Sequence, residues 1–191
     1  MNLNRPIRKF ANVPLAGWDG TVWTENVGKG ILEVYSRFIT ERTFGAVKRI
    51  LMCPDPLPSL YSVVRVPEGT RYLVAYLNKD LTADYVYNNI YLLQEASSDA
   101  NIVSFTYTTS ASGMQSTEVE TVSDPIPCYL ERYSSTISQE ADGVVYTKTR
   151  ILLPANTAVS VEDEIQVSTD RYKVSEVDRE LNLTRAYVLE I

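Results

Sequence analysis

Three consecutive carboxylates, Glu162, Asp163 and Glu164, are the group most suggestive of chemistry, because hard cations take oxygen ligands of this kind. Neighbouring residues on a strand point to opposite faces, so the run fits a solvated turn better than a metal cage. The chain has no histidine. Ser-His and Cys-His nucleophilic catalysis and imidazole-dependent zinc sites are therefore excluded. Gly28-Lys29-Gly30 is the nearest approach to a phosphate-cradling loop, yet it lacks the third glycine and a preceding strand, so nucleotide binding has no support. Cys53 and Cys128 stand 75 positions apart and form neither a CxxC pair nor a disulfide framework; they read as two buried thiols in a reducing compartment. A glycosidase-like carboxylate pair is drawn from residues distant in sequence, and nothing here favours one. Asn182-Leu183-Thr184 fits the glycosylation pattern but reads as a turn. No catalytic residue, metal ligand set or cofactor is expected, and the chain reads as a non-enzymatic protein that binds or assembles.

Thirteen tyrosines suit interfaces, where a ring buries area while its hydroxyl keeps a hydrogen bond; half-buried strands account for them equally well. The first thirty residues combine scattered prolines and glycines with no sustained period, which predicts an extended N-terminal arm over 1–30. Arg5, Arg8, Lys9 and Phe10, with Trp18 and Trp23, would be its partner-binding residues, one tryptophan folding back on the body and the other meeting a partner. Extended, thirty residues reach at most about 100 Å, enough to cross a neighbouring subunit.

These side chains need a scaffold, and the remaining sequence predicts a mainly β one over 31–191, an antiparallel barrel or sandwich. β-rich runs at 61–66, 71–77, 89–96, 102–109, 117–122 and 126–131 are separated by turn residues such as Pro67-Glu68-Gly69 and Ser97-Ser98-Asp99. Residues 31–39 suit either a helical stripe or a strand, with a hairpin to 46–52 the slightly favoured reading, and 80–88 suit a helical turn. Pro54, Pro56 and Pro58 make a rigid connector. Barrel-like strands follow over 144–191. There Val159, Val161, Ile165 and Val167 share an expected core face, and Asp163 belongs in a turn because an unpaired buried carboxylate is costly. The stretches 110–116, with Ser112, Gly113 and Met114, and 134–143, with Gln139, Glu140 and Asp142, read as long polar loops.

The balance of hydrophobic residues at 45% and charged residues at 22% is that of a folding globular chain. No apolar run approaches the roughly 20 residues of a membrane span, and no secretory leader is visible, so neither a membrane nor export is expected. The net charge of -6 and a pI of about 4.8 deny DNA phosphates a cationic grip, although DNA can pass an acidic wall without sticking.

Ile151-Leu152-Leu153-Pro154, then Val159 through Val167, Asp170-Arg171-Tyr172-Lys173-Val174 and Val188-Leu189-Glu190-Ile191, resemble the small β-barrel of tailed-bacteriophage head-tail connector (neck) proteins, with the stopper or head-completion type the nearest. Where that pattern usually has a glycine before the turn aspartate, this chain has Glu162. The resemblance implies a virion protein, assembled in the host cytoplasm, that forms a sixfold or twelvefold ring below the portal. Such a ring retains packaged duplex DNA through transient contact and docks the tail. Its partners would be copies of itself, a portal or adaptor protein, and a tail terminator or other tail protein. Glu162, Asp163, Glu164 and the two polar loops would be its channel or interface loops. A tail terminator, a tail-tube-proximal protein, or a carbohydrate- or receptor-binding β-sandwich are the competing expectations.

Overall fold

Branched and aromatic side chains pack well on a pleated surface, and runs rich in them, punctuated by proline, glycine and asparagine, become strands here. A computed structural model of the chain describes residues 13–34, 49–77, 89–109, 116–137, 144–180 and 182–191. Every helix or strand among the described residues is a β-strand: β1 (Val13–Trp18), β2 (Trp23–Val34), β3 (Arg49–Cys53), β4 (Val63–Arg65), β5 (Arg71–Leu77), β6 (Asn89–Glu95), β7 (Ser98–Thr109), β8 (Ser116–Val122), β9 (Ile126–Ile137), β10 (Val144–Pro154), β11 (Glu164–Val167), β12 (Asp170–Glu180) and β13 (Leu183–Glu190).

The strands close on themselves twice, with every pairing antiparallel. The first barrel runs β1-β2-β3-β6-β5-β4 and returns to β1 through Trp18 opposite Val63. In the second sheet β7, β9, β10, β13, β12 and β11 are neighbours in turn. Glu164–Val167 of β11 pairs back onto Ala100–Val103 of β7, which closes that ring, and β8 lies outside it on β7.

Alternation along the strands builds three apolar layers. Leu15, Leu51, Val64, Tyr72, Val74, Tyr91 and Leu93 fill the first barrel. Ile102, Ile151, Leu153, Ile165, Val167, Tyr172, Val174, Ala186 and Val188 fill the second. The opposite faces of the same strands supply Trp18, Val63, Leu73, Leu92, Leu152 and Leu183, a third cluster shared by both sheets. Polar bonds cross the seam too, since the Asn182 side-chain amide donates to the Val74 carbonyl at 3.2 Å.

This arrangement corrects the arm expected over 1–30. Residues 13–30 supply β1 and most of β2 and belong to the first barrel. Their glycines serve close packing rather than slackness: a Cβ on Gly17 would lie 2.5 Å from the Tyr61 ring, and one on Gly30 would lie 2.5 Å from Leu51 Cδ1. Residues 1–12 lie outside the described residues. So does the helical turn expected at 80–88.

Several boundaries shift as well. Residues 31–34 are strand and pair with 49–52, as the hairpin reading required, whereas 35–39 lie outside the described residues. Ser98 and Asp99 open β7 instead of forming a turn, because they pair with Cys128 and Pro127. Residues 134–137, expected in a loop, continue β9 against β10. β12 runs through Asp178 to Glu180, and the turn expected at Asn182 is there, with a left-handed φ of 61°.

Candidate interaction surface

The carboxylate run sits where the chain turns into β11. Asp163 Oδ2 accepts a hydrogen bond from the Ser160 backbone N–H at 2.7 Å, which fixes the turn expected for it. Glu162 occupies φ 79°, the left-handed region that glycine favours, at the position where the connector pattern has glycine. Its carboxylate lies 2.6 Å from Lys173 Nζ, and this hydrogen-bonded contact holds the lysine's pKa above its ordinary value. Glu164 opens β11 and meets Arg171 at 3.2 Å, and the same guanidinium reaches Glu120 of β8 at 3.1 Å. The three carboxylates thus go to a lysine, a backbone amide and an arginine. No group of three or more possible metal ligands converges among the described residues.

Val161, expected in the core, is half exposed at 50%, because residues 158–163 form turns and extended chain instead of a strand, so its neighbours do not alternate. Val159, Ile165 and Val167 are buried as expected. The thiols are buried in separate barrels, Cys53 in the first and Cys128 in the second, and desolvation pushes each pKa up to about 12.

Trp18 is buried in the layer between the barrels, so it is unavailable as a partner anchor. Trp23 is half-buried against the same layer, and the Arg65 guanidinium stacks 4.6 Å from its ring centroid while also pairing with Glu25. Both tryptophans therefore fold back on the body, a correction to the split expected between them. Of the remaining expected partner-binding residues, Arg5, Arg8, Lys9 and Phe10 lie outside the described residues. The same holds for the loop residues Ser112, Gly113, Met114, Gln139, Glu140 and Asp142. Among the described tyrosines, Tyr72, Tyr91 and Tyr172 are core residues, and the Tyr91 hydroxyl accepts from the Leu57 backbone N–H at 2.8 Å.

The seam between the barrels opens into a cleft of about 250 Å³ lined in part by Trp18, Asp19, Leu60, Ile126 and Pro154. Asp19 is turned back on its own loop. The Val22 backbone N–H, then that of Thr21 and the Thr21 hydroxyl, donate to it and hold its pKa below the ordinary carboxylate value.

The surface feature that sequence reasoning missed is a pair of projecting ribbons. β7 pairs with β9 over Ser98–Ala100 and with β11 over Ala100–Val103; from Ser104 to Thr109 it pairs with β8 alone. Six residues at about 3.4 Å make a ribbon of about 20 Å beyond the barrel. β9 and β10 form the second: from Tyr133 to Ile137 and from Val144 to Lys148 they pair only with each other. On the first ribbon Tyr107 is 69% exposed, and Val119 and Val122 of β8 are exposed too. The signal was present as the alternation of Glu118 and Glu120 with Thr117, Val119 and Thr121, which reads as a strand wet on both faces.

No protein-family model matches the chain, and no curated protein matches it. Among solved structures, the phage-like element PBSX protein xkdH from Bacillus subtilis aligns over 49% of this chain and 92% of its own, at 16% identity and a TM-score of 0.32. At that TM-score the likeness is too loose to support any inference about this chain.

Proposed function

We propose that the chain is a non-enzymatic structural protein of a tailed-bacteriophage head-tail connector, of the stopper or head-completion type. In this reading, copies form a ring below the portal, retain packaged DNA and dock the tail. The observation that carries it concerns the stretch bearing the connector resemblance, 151–191. It supplies the last four residues of β10 with β11, β12 and β13 to the second barrel, and that barrel extends two ribbons whose outer strand edges are unpaired among the described residues. Closed barrels have no edges of their own, so ribbons left outside them are suited to assembly. The acidic balance fits a ring that DNA traverses without sticking.

The test is the oligomeric state of the full chain, measured by native mass spectrometry and negative-stain imaging, alone and mixed with a candidate portal complex. Closed rings, alone or on the portal, are the expected result. A monomer under both conditions contradicts the proposal.

A further inference from the structure

We propose that the ring contact is a strand-to-strand pairing between the two ribbons, the outer edge of β8 in one copy lying against the outer edge of β9 in the next. The inference rests on the assembly reading above and names the surfaces that would perform it. Each strand has one side unpaired among the described residues: β8 pairs only with β7, and β9 beyond Cys128 pairs only with β10. An unpaired edge presents backbone N–H and C=O groups ready to bond another strand. β8 carries neither lysine nor proline, the residues that commonly block such pairing, and it is rich in threonine and valine.

The two edges also differ in charge. On the first ribbon, strand residues 104–109 and 116–121 contain only Glu118 and Glu120 as charged residues, and Glu120 is already paired with Arg171 of its own copy at 3.1 Å, which leaves Glu118 to face a neighbour. On the second, the outer strand over residues 132–137 contains only Arg132 as a charged residue. Within one copy Arg132 is more than half exposed and its nearest carboxylate, Glu190, is 3.9 Å away. Glu118 accepts a hydrogen bond from the Tyr107 hydroxyl at 3.2 Å on an exposed face. Glu118 on one edge and Arg132 on the other favour this partner and this direction. Because two different edges meet, the contact is head-to-tail, and repetition of a head-to-tail contact closes a ring when the rotation permits.

Charge reversal in the full chain tests this. Glu118→Lys, and separately Arg132→Glu, should each weaken ring formation at least tenfold in concentration, and the variant carrying both substitutions should recover it. A second test avoids charge reversal. With Glu118→Cys and Arg132→Cys in one chain, oxidation should give a ladder of covalent multimers, whereas either cysteine alone should give dimers at most. Rings that persist in both charge-reversed variants, or a chain with both cysteine substitutions that gives no ladder while its rings remain, overturn the pairing but leave the ring reading standing. A wild-type chain that never forms rings overturns both.

Discussion

Glu162 holds a backbone conformation that costs a non-glycine residue about 1 kcal/mol or more, and its compensation is an exposed contact with Lys173. Glu162→Gly should therefore raise stability by about 1 kcal/mol, read as a higher denaturant midpoint with an unchanged slope. A lower midpoint would show that the lysine contact outweighs the strain. The thiols give a second expectation. Native Cys53 and Cys128 hold their protons to about pH 12, against 9.0 for a free thiol, so the unfolded chain releases these protons first as pH rises. Stability should fall between those values, and neither thiol should react with a disulfide reagent near neutral pH until the chain is unfolded. Rapid labelling of the native protein would contradict this. At this scale the sequence was legible where a single physical cost decided the outcome: Asp163 could not be buried alone, and it is in the turn. Val161 was misread because alternation was extended through residues that turn.

Among the elements, the strands from β5 onward were largely visible in the sequence, since period-two alternation and turn residues bounded them. β1 and β2 were not. Gly17, Gly28 and Gly30 interrupt the pattern there, and what sets two of them is contact with Tyr61 and Leu51, residues remote in sequence. The ribbons were missed for a related reason, because alternation reports that a strand is wet but not which neighbours it lacks. Deleting residues 1–28 should now unfold the first barrel, because it removes β1 and half of β2 from a closed ring of six strands. A truncated chain that melts with the wild-type transition would restore the arm reading. Trp18→Ala, which empties a buried site in the layer shared by Leu152 and Leu183, should cost about 3–5 kcal/mol in chemical denaturation. A loss under 1 kcal/mol would mean that the layer does not hold the barrels together.

For the molecule as a whole, two barrels share one apolar seam, and the polypeptide passes from β6 to β7 through only Ala96 and Ser97. In the proposed connector ring, load would pass between ribbon contacts through this shared seam. With a net charge of -6, the isolated chain should bind duplex DNA only weakly at physiological salt, so any sealing is mechanical. The central claim is tested most directly in particles assembled without this protein and then examined for encapsidated DNA and attached tails. The account predicts heads that package DNA and then lose it and that fail to join tails, with both defects repaired by adding the wild-type chain. Particles that keep their DNA and join tails normally in its absence would contradict it.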